Sequence, residues 1–255
     1  MTTSHNKAQT LHTLHKKGAP LILQNIWDAG SAKVAASSGA KAIATGSWSV
    51  ASAFGYADGE QLPLELALDN IKRISDSVDL PVTMDIEAGY GKSPEDVGQT
   101  VTLALQNGAV GFNLEDQDIT GSGLFSIDEQ SSRIKAARTA ADALDIPAFI
   151  NARTDVFLQA SADSDKAELF AEVQARSKSY QTAGADGLFV PGIIDADLIE
   201  ELCKSCPLPI NIMVMPGCPT NDELSKLGVS RISYGPGPYQ AAMKLLEDEC
   251  RKVYG

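Results

Sequence analysis

Apolar and β-branched residues gather in eight short runs along the chain, at 21–28, 42–48, 82–87, 111–116, 148–155, 187–191, 209–215 and 231–235. Between them lie stretches whose apolar residues recur every three or four positions. That spacing predicts helices, among them 64–78, 94–106, 127–144, 165–183 and 238–253. The punctuation alternates. Gly39-Ala40, Gly108-Ala109 and Gly184-Ala185 precede the second, fourth and sixth runs, with Gly228-Val229 as a looser version before the eighth. Leu80-Pro81, Ile146-Pro147 and Leu208-Pro209 precede the third, fifth and seventh. Glycine ends a helix because it tolerates the left-handed conformation, and proline holds the chain extended before a strand. Ser93-Pro94 is a good helix start, with a serine cap and proline in the first helical position.

Eight alternations of strand and helix, with strands too apolar to be half-wet, predict an α/β fold: a parallel sheet closed as a (β/α)8 TIM-type barrel. A doubly wound open sheet would carry a G-x-G-x-x-G at its first strand–helix turn, and residues 27–31 read Trp-Asp-Ala-Gly-Ser instead. No linker or shift in composition divides the chain, so 1–255 is expected to be one barrel domain. Residues 1–20 are expected to add an N-terminal helix, with Leu11 and Leu14 covering the barrel floor.

Composition then narrows the partners. The 255 residues are 44% hydrophobic and 21% charged, which excludes disordered, collagenous and disulfide-scaffold classes. A net charge of −12 opposes binding to nucleic acid or to anionic membrane surfaces. No apolar run approaches the ~18 residues that span a bilayer, and residues 1–17 carry no apolar signal core, so a cytoplasmic protein is expected. Cys203 and Cys206 form a C-x-x-C on a helical stretch. All three histidines lie in the first fifteen residues, so the pair reads as structural rather than as a redox or zinc site.

In such a barrel the chemistry sits at the carboxyl ends of the strands. The third run ends with Asp85 and Glu87, which strand alternation places on one face; the fourth places Asn113 and Glu115 inward by the same parity. Three converging carboxylates need a proton, a cation or a metal ion. All-oxygen donors favour Mg2+, with Mn2+ as its substitute. The other solution is a buried network in which Arg153 neutralises the acids. In the fifth run Asn151, Arg153 and Asp155 share a face; Arg153 is either a fork for a substrate carboxylate or phosphoryl group, or the partner of Glu115. Thr45, Gly46, Ser47 and Trp48 close the second run, where Gly46 lets a ligand near the backbone amides. Asp28 is either a site residue or the N-cap of a helix starting near Ser31. The loop Gly235-Pro236-Gly237-Pro238 occupies the position of many barrel phosphate sites, yet its prolines remove two amide donors and suit a rigid turn. No histidine or lysine falls within the runs, which excludes a Ser-His-Asp hydrolase and a Schiff-base aldolase.

These stretches resemble the isocitrate lyase/phosphoenolpyruvate mutase superfamily. The similarity lies in Asn25-Ile26-Trp27-Asp28-Ala29-Gly30-Ser31-Ala32, Asp85-Ile86-Glu87-Ala88-Gly89-Tyr90-Gly91, Gly111-Phe112-Asn113-Leu114-Glu115-Asp116 and Asn151-Ala152-Arg153-Thr154-Asp155. The resemblance implies a barrel, Mg2+, and a small 2-oxo acid or phosphonate whose C–C or C–P bond is cleaved or formed beside a pyruvate-like enolate. By position it assigns Asp85, Glu87, Glu115 and Asp58 to the metal shell; Asp58, Glu115 and Arg153 are the expected catalytic groups, and Asn151, on the Arg153 face, is an expected substrate-binding residue. It gives Arg153 the leaving portion or substrate carboxylate, and gives Thr45, Gly46, Ser47 and Trp48 the oxo-acid carboxylate. It also implies a homo-oligomer.

The chain departs from the family in two places. The lyases carry a Lys-Lys/Arg-Cys-Gly-His loop after the fourth strand, and residues 117–125 here hold no cysteine, histidine or lysine. The mutase's lysine- and asparagine-bearing loop is missing too, and its histidine on the sixth strand is replaced within Phe189-Val190-Pro191-Gly192. Residues 117–123 are either a lid or a plain surface connection. The expected function is a Mg2+-dependent lyase, decarboxylase or phosphonomutase-like enzyme. The competing expectations are a catalytically silent 2-oxo acid binder on the same barrel and an unrelated sugar-phosphate barrel.

Overall fold

The computed structural model describes residues 3–121, 123–161 and 163–255; Met1, Thr2, Ser122 and Ala162 lie outside the described residues. Its strands are β1 (Leu21–Leu23), β2 (Asn25–Ile26), β3 (Ile43–Thr45), β4 (Val82–Asp85), β5 (Gly111–Glu115), β6 (Phe149–Arg153), β7 (Gly187–Phe189), β8 (Ile210–Met213) and β9 (Arg231–Ser233). All pairings are parallel, in the order β1-β9-β8-β7-β6-β5-β4-β3-β2. β1 and β2 are two halves of one stave interrupted at Gln24, the first half pairing β9 and the second β3. The sheet therefore closes as an eight-stave TIM-type barrel, as the alternating pattern predicts.

The helices between the staves sit where the periodicity places them, at Leu64–Ser77, Pro94–Gln106, Ile127–Ala143, Lys166–Ala183 and Gly237–Tyr254. Serine caps do their expected work: Ser93 and Ser126 each accept an N–H from the third helical residue, whose acid returns the bond. Asp28 caps α2 (Ala29–Ser37) with Ser31 in the same reciprocal way, which settles the choice left open for that residue.

Two of the sequence-derived boundaries are corrected. The second run leaves the strand at Thr45, and a helix, α3 (Ser47–Phe54), begins at once, so Trp48 is helical. The third run stops at Asp85. Beyond it Glu87, Gly89 and Tyr90 adopt φ of +50°, +98° and +56°, a tight turn that breaks the alternation on which Glu87 was paired with Asp85. Gly89 makes the turn possible, since a Cβ there would meet Val97 Cγ2 at 2.8 Å.

Apolar residues fill two zones. One lies between the sheet and the outer helices, and the other is the barrel floor, where Leu21, Leu23, Ala42, Ala44, Val110 and Phe149 pack against Ala8 and Leu11 of α1 (Ser4–Leu14). His15 seals this floor, stacked on Phe149 with ring centroids 3.8 Å apart and 12° between the planes. Its Nδ1 is 2.7 Å from the Leu11 carbonyl, which it reaches as a donor, while its Nε2 has no partner. Burial, and secondarily the charge of Arg231, pull its pKa down to about 3. The unfolded chain takes up a proton near pH 6.5 that the fold refuses, so His15 supports full stability above that pH and loses it as pH falls toward 3. His15→Phe keeps the stack without the titration. Wild type is expected to lose about 2–3 kcal/mol more than this variant between pH 7 and 4.5, measured by urea unfolding at each pH.

Candidate active site

The barrel mouth opens into a cavity of about 160 Å³ bounded by Asn25, Gly46, Ser47, Trp48, Ser49, Asp58, Asp85, Asn113, Arg153, Phe189, Met213, Ser233, Gly235 and Pro236. Its geometry starts at the β3–α3 junction. The Asp85 N–H donates to Thr45 Oγ1 at 2.9 Å, tying the end of β4 to that of β3. The Ser47 N–H, at the start of α3, donates to Asp85 Oδ2 at 3.2 Å. No side chain caps α3, so its first turn brings backbone N–H groups and the positive end of a helix dipole to the cavity wall. Gly46 lies at this wall with an ordinary extended φ of −124°; a side chain there would press on Asn25 Cβ at 3.3 Å.

Asp85 Oδ1 is buried and has no hydrogen-bond partner, and the same holds for Ser49 Oγ. Both belong to residues lining the cavity, where a buried orphan oxygen asks for a ligand. Asp58 also lines it; burial and then the charge of Asp85 raise its pKa, against a hydrogen bond from Ser47.

Arg153 reaches the cavity from the end of β6 with much of its fork engaged. Nη1 is 2.8 Å from Glu115 Oε2, while Nε and Nη2 donate to the two oxygens of Asp155 at 2.6 and 2.8 Å. The pairing with Glu115 is thus present, and the same arginine also lines the cavity. Burial pushes the Glu115 carboxyl well above its usual pKa, with the Arg153 charge pulling the other way. Burial opposes the Arg153 charge as well, yet Glu115 and Asp155 outweigh it and hold the guanidinium protonated. Asp155 and its neighbours are anchored through Asp116, which accepts from the Asp155 N–H at 3.0 Å and from Arg176 and the Tyr180 hydroxyl at 2.8 Å each.

Glu87 does not reach the cavity. Its Oε2 accepts the N–H groups of Gly59 and Glu60 at 2.8 and 2.6 Å, and the Tyr90 hydroxyl donates to Oε1 at 3.4 Å. Burial carries its pKa up to about 7, against a backbone hydrogen bond from Glu60 and with the charges of Asp58 and Asp85 adding to the rise. Its contacts fix the 58–60 turn that presents Asp58. Asn151 also stands back from the cavity, donating to Asn113 Oδ1 at 2.9 Å. The sequence reading missed Asn25, whose amide donates to the Thr45 carbonyl at 3.0 Å and accepts from Tyr234 and Gly235 at 3.1 and 2.9 Å. A polar asparagine inside the apolar first run is the available signal. These bonds hold the Gly235-Pro236 turn as part of the wall, with prolines where a phosphate cradle would need donors. The sequence reading also gave no part to Phe189, Met213 and Ser233.

The 117–124 segment is closed on itself by a bridge between Gln117 and Leu124, with Asp118 accepting from Thr120 and Gly121. Ser122, inside the stretch considered as a lid, lies outside the described residues. Among the described residues no three His, Cys, Asp or Glu side chains gather around one point as a ready-made metal cluster, and no helix is long and apolar enough to cross a membrane.

Comparison with known proteins places this geometry in context. Residues 11–254 match the family model described as phosphoenolpyruvate phosphomutase. A candidate phosphonomutase from Burkholderia cenocepacia J2315 has a crystal structure 47% identical to this chain, covering 98% of it and 100% of that chain, with a TM-score of 0.96. The oxaloacetate decarboxylase of Pseudomonas entomophila (strain L48) is 28% identical over 98% of this chain and 86% of its own length. The crystal structure of a phosphonopyruvate hydrolase complex with oxalate and Mg++ shares the fold, at 23% identity, 97% and 86% coverage and a TM-score of 0.84.

Proposed function

This chain belongs to the phosphoenolpyruvate phosphomutase family, and from that premise we propose that it is a Mg2+-dependent enzyme that cleaves or rearranges a C–C or C–P bond beside the enolate of a small 2-oxo acid or phosphonate. The observation that carries the reading is the Asp85 carboxylate, with one oxygen held by the Ser47 N–H and the other buried and unpartnered at the cavity. The residues fit a hard divalent cation. The acids offer oxygen donors alone, and Mg2+ keeps several waters and needs only one or two carboxylates plus its substrate. Asp85 would hold the ion, with Asp58 and Glu115 supporting it directly or through water and Glu87 acting from behind by fixing the 58–60 turn; Mn2+ suits the same donors. When bound, such an ion supplies Lewis-acid stabilisation of charge on an enolate oxygen.

The chain supplies the rest. The first turn of α3 receives the oxo-acid carboxylate on backbone N–H groups, as helix N-termini receive anions. Arg153 has five N–H groups, of which Glu115 and Asp155 take three. The others face the far end of the substrate, and the Asp155 pairing keeps the fork from rotating. Asp58, whose pKa burial and the Asp85 charge raise, is the cavity acid placed to pass a proton toward the enolate carbon when it supports the ion through water. C–C cleavage or decarboxylation fits better than phosphoryl migration, because releasing an enolate demands less of the acid machinery that residues 117–125 lack. The similarity to an oxaloacetate decarboxylase supports the same preference.

The experiment is a panel of 2-oxo acids and phosphonates assayed with Mg2+ and with chelator. Turnover of at least one compound in Mg2+ alone is expected, together with a rise of several degrees in Tm when oxalate is added to the Mg2+ form. Oxalate stabilisation without turnover of any compound would support the silent binder, the reading favoured by the loop lacking cysteine, histidine and lysine. Inorganic phosphate protecting equally well in chelator, with oxalate inert, would overturn both.

A further inference from the structure

One buried cation plays no part in that chemistry. Arg231 stands on β9 with 1% of its surface exposed. Its register partner on one side is Leu21 of the apolar floor, and Ser233, two residues on, lines the cavity. Arg231 therefore lies between the floor and the mouth. Its Nε contacts Ser233 Oγ at 3.4 Å and its Nη2 donates to Asn113 Oδ1 at 3.2 Å, while Nη1 has no partner. Among the described residues no carboxylate pairs with it. Asp85, above it at the cavity, is the charge that supports its protonated form, and burial still draws its pKa down to about 10.

A buried guanidinium without a carboxylate partner is expensive, and an aliphatic side chain would fill a barrel interior at lower cost. The Arg153 charge is already shared between Glu115 and Asp155. Arg231, by contrast, lies beside the cavity with no carboxylate paired to it among the described residues. Both of its hydrogen-bond acceptors, Asn113 and Ser233, are wall residues of the cavity, so its fork also fixes the polar atoms of the cavity base.

Building on the function proposed above, we propose that Arg231 is a positioning residue of the substrate cavity: it orients Asn113 and Ser233 and lends the cavity a positive potential that selects dianionic over monoanionic ligands. In a low-dielectric interior a charge one side chain away from the ligand acts with little screening.

Oxalate and oxamate test this, because they share a shape and differ by one negative charge. Their affinities for the Mg2+ form are measured by calorimetry in wild type, Arg231→Met and Arg231→Lys. Arg231→Met is expected to weaken oxalate about tenfold more than oxamate, and Arg231→Lys to keep the wild-type preference within about threefold. A merely structural role would weaken both ligands alike or lower Tm alone. An oxalate-to-oxamate ratio unchanged in Arg231→Met overturns the proposal. Should that variant not fold, Arg231→Gln repeats the neutral test. Should that fail as well, the lysine variant decides, and collapse of its preference for oxalate overturns the idea. Wild type that binds neither ligand with Mg2+ present would instead sink the proposed function.

Discussion

Asp85→Asn is expected to lower the proposed Mg2+-dependent turnover by about a thousandfold, because a neutral amide binds a hard cation weakly and charge on an enolate would then go unstabilised. The fold should survive. The introduced amide keeps the shape of the carboxylate and an oxygen for the Ser47 N–H, and Asp85 has only that single side-chain acceptor contact to lose. Removing a buried carboxylate with an orphan oxygen relieves desolvation while Arg231 loses the charge that supports its protonated form, so the two effects oppose each other and Tm should shift by only a few degrees. Steady-state kinetics at saturating Mg2+, on whichever compound of the substrate panel is turned over, read the first effect; calorimetric melting reads the second. Oxalate should also lose its Mg2+-dependent stabilisation in the variant. Retention of wild-type turnover would remove Asp85 from the centre of the site and the proposed function with it.

Arg153→Met is expected to damage both activity and stability. Glu115 and Asp155 are buried acids, and this arginine is the cation that pairs with each of them. Breaking a buried pair by deleting one partner costs about 3–5 kcal/mol. Turnover should fall about a hundredfold or more if Arg153 holds the substrate as proposed, since that hold goes with the fork. The stability loss should depend on pH in a defined sense. Glu115 already has a raised pKa through burial, and deleting Arg153 takes away the charge that opposes the rise. An acid whose folded pKa lies above its unfolded value adds no penalty below the unfolded value and an increasing one as pH climbs toward the folded value. The variant should therefore lie closest to wild type near pH 4.5 and fall progressively further from it as pH rises above that value. Urea unfolding at several pH values checks this, and a destabilisation independent of pH would show that Glu115 is not the group involved. Arg153→Lys should recover part of the stability and little of the turnover, because one ammonium cannot serve Glu115 and both oxygens of Asp155 together.

The legible and illegible parts of the site differ in kind. Asp85, Arg153 and the 46–48 stretch are readable because an acid, an arginine and a glycine at the ends of apolar runs stand out against their neighbours, whereas Asp58, in a Gly-rich stretch outside every run, comes only from the family resemblance. Glu87 was misplaced because strand parity was extended two residues past the end of β4, into a turn set by positive φ at Glu87, Gly89 and Tyr90. Asn151 shares its face with Arg153 but sits one step deeper, and its amide is taken up by Asn113. Arg231 opens the eighth run and the sequence assigns it no role, since nothing local says which way the first residue of a strand points. The register with Leu21 turns it inward.

Staves, helices and caps follow from patterns a few residues wide, because hydrophobic period, glycine and proline punctuation and reciprocal capping act between near neighbours along the chain. They could be read without coordinates, and so could the gathering of polar residues at the strand ends. The choice of partner for each charge could not. Arg153 divides between Glu115 and Asp155, Glu87 turns to the amides of residues 59 and 60, and Arg231 lies under Asp85. Most of these contacts join groups far apart in the chain, and they exist because closing the barrel excludes water and leaves each charge only the groups beside it to answer to.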